Sequence, residues 1–335
     1  MKRIALVLFL AVPLFADVKQ LVDEGIRLYD AGRYDEAIVK LQAALAEDPS
    51  SDLAAYELGL TYAAKGDNAE CIALLEPRVK AKKNEYRSAM YGILGNCHDN
   101  GGDPDRAIAT YRRGLKVDRN DTQLLYNLSV TLAGRGELDE ARKLLKQELA
   151  LQPRHPSGHY LLGQVFEAQN FRVPAALAYL RFLSLEPAGE RAKDAATRAL
   201  ALLGAGVEVK DAQNVTINVD PKPRKEEGDY GTVELMLSIA GAAQLLPEEA
   251  AKSEFERKRA QVASSLSMIA EVPNKGRDHT AKQVIPFFRQ MYDRKLLDAY
   301  AGIALLSLKL PGTEEWRRAS QAEIDRFVAF MQESK

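Results

Sequence analysis

A spacing of about 34 residues runs through the first half of the chain and limits its fold more than any other feature. Gly32, Gly66, Gly102, Gly136 and Asn170 follow one another at separations of 34, 36, 34 and 34 residues. Five positions after each stands a small residue: Ala37, Cys71, Ala107, Ala141 and Ala175. Seven positions before each stands Gly25, Gly59, Gly95, Ser129 or Gly163, and Leu58, Leu94, Leu128 and Leu162 precede the last four of these. Pro49, Pro153 and Pro187 close copies. A period of this length marks stacked units, each too small to bury its own apolar face. Each copy reads as two amphipathic helices joined by a tight turn whose first residue tolerates positive φ. The small residues fall where the paired helices cross. Leu41, Leu75, Tyr111, Leu145 and Tyr179, four positions further on, fill the space between helices. Asp35, Asp105 and Asp139 stand near the start of the second helix, where a carboxylate meets unpaired N–H groups. Pro104 and Pro174 stand in its first turn, where a missing N–H is harmless.

This pattern resembles the tetratricopeptide repeat family, over residues 18–189 as five copies with two residues inserted near Glu85–Arg87. The resemblance implies an α-solenoid whose first helices line a concave groove that holds a peptide or a helix of another protein. That face here carries Tyr56, Leu60 and Ala63 from copy two and Asn96 and Asp99 from copy three. Copy four adds Gln123, Tyr126, Asn127 and Val130, and copy five adds Tyr160, Gln164 and Glu167. Tyrosine offers a rigid apolar body with a polar tip, and the amides of Asn96, Asn127 and Gln164 suit a peptide backbone. Tyrosine at this position also packs within the repeat itself, so ligand contact and scaffold both remain open. Lys19 is the single basic residue on the face, which argues against capture of a C-terminal carboxylate. The expected partner is therefore another protein or a peptide segment.

Some copies depart from the pattern. Glu24 replaces the usual Leu in the first copy, as suits an outer face that meets water. Pro77 falls inside the second helix of copy two, which should be kinked or short. Asn170-Phe171 replaces the glycine turn of copy five. Residues 190–203, rich in Ala and Leu, read as a helix that covers the last repeat.

The two ends are different in kind. Lys2-Arg3 precede an apolar run from Ile4 to Ala16, too short to span a bilayer and suited to a secretory leader cut before Asp17. The expectation is an exported protein, periplasmic or secreted, with no membrane span after cleavage. Beyond Gly204 the period stops. Val207–Val209 and Val215–Val219 alternate and read as a short β-hairpin. Residues 221–230 read as a polar loop. Helices are expected at 232–246, 248–271 and 279–309, the last broken near Pro286, and at 313–332. The whole chain reads as mainly α: a leader (1–16), five repeats with a capping helix (18–204), and a small, mostly helical C-terminal domain carrying the hairpin (205–335).

Chemistry is sparse. The formal net charge of −1 leaves no footprint for a nucleic-acid backbone. Two cysteines support neither a disulfide scaffold nor a four-thiolate zinc site. Cys71, in the second helix of copy two, stands beside Cys97, in the first helix of copy three. The two are either bridged, as an oxidising compartment allows, or separate small residues of the core. His155 and His159 have helical spacing, but Pro156 between them sits at a repeat boundary, so no metal site or cofactor is expected. No nucleophile, base and orienter can be assembled from 205–335. The chain therefore reads as a non-catalytic binding or scaffold protein. The alternative is an enzyme with its active site in 205–335 and the repeats as a targeting module. Convergence of Glu227, Asp229 and His279 in one pocket would favour that alternative.

Overall fold

The computed structural model describes residues 17–81, 83–211, 214–217, 226–244, 249–272 and 276–333, so the leader expected over 1–16 lies outside the described residues. Ten helices follow one another in five pairs, each pair joined by a tight turn. They are α1 (Val18–Asp30) with α2 (Tyr34–Glu47), α3 (Asp52–Lys65) with α4 (Asn68–Arg78), and α5 (Arg87–Asn100) with α6 (Pro104–Val117). The last two are α7 (Thr122–Gly134) with α8 (Leu138–Leu151), and α9 (Pro156–Ala168) with α10 (Arg172–Leu183). All five turns are left-handed at the expected residue, with φ of 71° at Gly32, 89° at Gly66, 83° at Gly102, 79° at Gly136 and 60° at Asn170. Glycine and, less easily, asparagine enter that region cheaply, which accounts for the substitution in copy five.

Contacts divide the chain into two compact units between Thr131 and Leu132, within α7. In the first unit the crossing residues Ala37, Cys71 and Ala107 are fully buried, as are Leu41 and Leu75. Space, not backbone conformation, explains the glycines seven positions before the turns. A Cβ on Gly59 would lie 2.7 Å from Cδ1 of Leu75, and one on Gly95 would lie 2.2 Å from Cε1 of Tyr111. Helix α4 has 11 residues where α2 and α6 have 14, and Pro77 stands in its last turn. Of the two readings of the cysteines, the structure has the bridge. Cys71 of α4 and Cys97 of α5 are disulfide-bonded, with Cα atoms 6.4 Å apart.

In the second unit the chain continues through α11 (Glu190–Gly204) and the antiparallel strands β1 (Val207–Asp211) and β2 (Asn214–Ile217), in which Val207 pairs with Ile217 and Val209 with Val215. Then come α12 (Gly231–Ala243), α13 (Glu254–Glu271), α14 (Ile285–Asp293), α15 (Leu297–Ala304), α16 (Thr313–Ala319) and α17 (Gln321–Glu333). Ser253 and Glu256 form a reciprocal capping box that starts α13. The long stretch expected from 279 to 309 divides at Lys295, where φ is 56°, and not at Pro286. Pro286 stands in the first turn of α14, after a π-helical turn at Thr280–Val284. The last expected helix divides at Ser320 into α16 and α17.

The boundary expected after Gly204 does not separate two cores. One apolar core runs from Val173 of α10 through α11 to α15 and on to Phe330 of α17. Helix α11 does cover repeat five, and its buried Ala192, Ala195, Ala196 and Ala199 let neighbouring helices approach closely. Its far side is then covered in turn. Arg172 donates to the carbonyls of Leu202 at 2.7 Å and Leu203 at 3.2 Å, and to Oγ of Ser238 at 3.0 Å. One cationic side chain thus caps the end of α11 and ties it to α12. Tyr300 of α15 is fully buried and donates its hydroxyl to the carbonyl of Leu180 in α10. The guanidinium of Arg181 lies 3.8 Å from the ring centre of Phe287 in α14. No described helix is long and apolar enough to cross a membrane.

Candidate binding surface

In the first unit, the face of the first helices carries a connected set of tyrosines and amides. Tyr56 of α3 is half-buried, and its ring stacks on Tyr86 at 5.3 Å between centres. Tyr86 lies in the inserted stretch before α5, and sequence reading missed it because the insertion breaks the repeat register that located the other residues. Burial and neighbouring acids and phenols hold the hydroxyls of Tyr29, Tyr56 and Tyr86 above the usual tyrosine range. Leu60 is half-exposed beside them. Further along, Oδ1 of Asn96 accepts from the Tyr111 hydroxyl at 2.7 Å and from Nδ2 of Asn127 at 2.9 Å. Gln123 donates to Oδ1 of Asn127 at 2.8 Å. This chain of bonds fixes the three amides while leaving Nδ2 of Asn96 and Oε1 of Gln123 without a partner among the described residues. Tyr126 is half-buried next to Asn127, and Val130 is 41% exposed. Asp99 accepts from Thr131 at 2.8 Å, which ties α5 to α7.

In the second unit, Tyr160 is not an open anchor. Its hydroxyl donates to Asp194 of α11 at 2.7 Å, and its ring packs 5.1 Å from Phe182 and 5.9 Å from Tyr179. Burial, together with the bond to Asp194, pushes its hydroxyl up to about 12. Glu167 accepts from Tyr179 at 2.7 Å and from Arg198 at 3.0 Å. Both residues fasten the capping helix, so at copy five the packing role of tyrosine holds. Gln164 is half-buried between them on α9.

The histidines are also accounted for. His155 is the residue before α9 and meets Oε1 of the buried Glu148 at 2.8 Å. His159 is 3% exposed and donates from Nε2 to the Pro153 carbonyl at 2.9 Å. Burial lowers His159 to about 3 and raises Glu148 to about 8, so both are neutral at pH 7. No metal-holding group of acids, cysteines or histidines occurs among the described residues.

The three residues that would favour an enzyme come together in part. Oε1 of Glu227, which is 2% exposed, accepts from Lys146 at 2.6 Å and from Arg142 at 2.9 Å. His279 lies within electrostatic reach of the same Lys146, and burial lowers it to about 4. Asp229 is exposed. Tyr230 donates to Asp278 at 3.0 Å. Glu227 therefore sits as the counter-ion of two cations on α8, while its Oε2, like Oδ2 of Asp278 and Nε2 of His279, is buried without a hydrogen-bond partner among the described residues.

Residues 28–92 and 101–165 match the family profile described as tetratricopeptide repeat. No curated protein matches the chain. Among solved structures, TTC0263, a thermophilic repeat protein of Thermus thermophilus, is 22% identical, with 56% of this chain and 99% of that one covered and a TM-score of 0.44. YrrB, described as a repeat protein with an unusual peptide-binding site, is also 22% identical, with 54% and 92% covered and a TM-score of 0.43. MamA of Desulfovibrio magneticus RS-1 is 17% identical, with 51% and 97% covered and a TM-score of 0.45. Residues 28–92 and 101–165 are therefore tetratricopeptide repeats.

Proposed function

We propose that the protein is an exported, non-catalytic scaffold that holds a segment of another protein along the first-helix face of repeats two to four. The observation that carries this reading is the set of amides at Asn96, Asn127 and Gln123. Their mutual bonds fix their orientation, while a donor on Asn96 and an acceptor on Gln123 stay unused among the described residues. A pre-ordered donor and acceptor next to tyrosine rings suit a peptide backbone with an apolar side chain. Tyr160, included in this face by its position in the repeat, is excluded from the contact set because it is committed to α11.

The test is capture from an extracytoplasmic extract on immobilised protein, comparing wild type with Tyr126→Ala/Asn127→Ala. Truncating a central anchor typically costs about 2 kcal/mol or more, so the main captured protein should be lost while the melting temperature changes little. A folded variant that retains the same protein at the same strength would place the contact elsewhere. Export has its own check: protein taken from the extracytoplasmic fraction should begin near Asp17, and intact residues 1–16 on cytoplasmic protein would refute it.

A further inference from the structure

A cleft away from the amide face belongs to the first unit. A cleft of about 410 Å³ opens where α4, α5 and α6 meet. Leu94 on its wall and Asn96 on the proposed binding face stand two residues apart on α5, so they point to different sides of that helix. The floor is apolar: Val79, Tyr91 and Leu94 are 3%, 7% and 3% exposed. The rim is cationic, with Lys80, Arg106 and Arg113 facing a single acid, Glu76. Arg106 makes a 3.3 Å contact to Asp103, an exposed pair of the kind that contributes little. Lys80 and Arg113 have no ion-pair partner among the described residues. His98, 6% exposed, is held neutral by its burial, so the positive charge resides on the lysine and the two arginines.

We propose that this cleft is a docking site for an acidic segment of a partner protein. Arg106 and Arg113 hold a carboxylate, and a neighbouring apolar side chain of the segment covers Val79, Tyr91 and Leu94. Charge complementarity selects this occupant. Three cations against Glu76 and Asp103, above a low-dielectric floor, leave a net positive potential in the cleft. Planar guanidinium forks match a carboxylate in two bonds where an ammonium makes a point contact. A bare phosphate satisfies the cations but leaves the apolar floor uncovered. The Cys71–Cys97 bridge ties α4 to α5, two of the three walls, and so keeps their spacing fixed.

The proposal is independent of the amide face and is tested on the full chain. The probe is a fluorescein-labelled hexapeptide of alternating aspartate and leucine, read by anisotropy. Binding should saturate and weaken with added salt. Arg106→Glu/Arg113→Glu should weaken it by about tenfold or more; both side chains are exposed, so the fold should survive, as an unchanged far-ultraviolet circular dichroism spectrum will show. Tyr126→Ala/Asn127→Ala should leave it unchanged, which separates this site from the amide face. Equal binding of a hexapeptide of alternating asparagine and leucine would overturn the proposal, as would an unchanged Kd in the charge-reversed variant. Displacement by inorganic phosphate as effective as by unlabelled peptide would overturn it too, since the cleft would then read an oxyanion and not a segment.

Discussion

A chain that ends at Gly204 is expected to be recovered aggregated, or to melt far below the full-length protein. The core that begins at Val173 in repeat five is completed by residues beyond 204. Leu180 loses the hydroxyl of Tyr300 at its carbonyl, and Arg181 loses the Phe287 ring 3.8 Å from its guanidinium. Arg172 loses Ser238, its link to α12. Each fully buried Leu or Phe returned to water costs roughly 1.5–3 kcal/mol. Leu177, Leu180, Phe182 and Leu183 of α10 and Leu203 of α11 are each no more than 1% exposed in the full chain. Exposing even part of that set removes an amount comparable to the whole stability of a typical domain, about 5–15 kcal/mol. Size-exclusion chromatography and thermal melting of residues 17–204 provide the measurement. A monomeric fragment melting within a few degrees of the full chain would show that the core divides at 204 after all.

The shared core begins in the last repeat, where the sequence period ends. The repeats were legible because a copy is defined by a few residues with one physical job each. Gly66 and Asn170 reverse the chain with positive φ, Ala37 and Ala107 let helices cross, and Tyr111 fills the space above Gly95. Those jobs recur at a fixed period, so five weak signals reinforce one another. Beyond 204 nothing recurs, and each helix end must be read alone. Pro286 looked like a break because proline is excluded from helix interiors, yet it stands in a first turn. The actual break at Lys295 carries no glycine or proline to announce it. The alanines of α11 cover repeat five and also serve a core shared with α12 and α13. Position in the repeat placed Tyr126 and Tyr160 on an equivalent face. It did not reveal that Asp194, 34 residues after Tyr160, comes from the capping helix and claims its hydroxyl. The stack of Tyr86 on Tyr56 was invisible for the opposite reason, since it arises from residues added to the period.

Replacing both cysteines, as Cys71→Ala/Cys97→Ala, is expected to lower stability by about 3 kcal/mol, from the chain-entropy relation for a closed loop of this size. The bridge spans a sequence separation of 26 and joins the second helix of copy two to the first helix of copy three. In a stacked array such a link matters beyond its loop, because each copy is held chiefly by its neighbours. Both side chains are fully buried at helix crossings, and alanine preserves the small apolar volume that a crossing needs. The loss should therefore come from the missing cross-link and not from a cavity or an overpacked core. Two denaturation curves separate these causes. Reducing the wild-type protein should lower its midpoint by the same amount as the double substitution, and adding reductant to the variant should change nothing. Mass measured after alkylation, with and without prior reduction, supplies the thiol count for the same samples. An oxidised sample that already takes up two alkyl groups would show separate thiols. The double variant would then lose little stability, and the proposal of export to an oxidising compartment would have to rest on the apolar run of residues 4–16 alone.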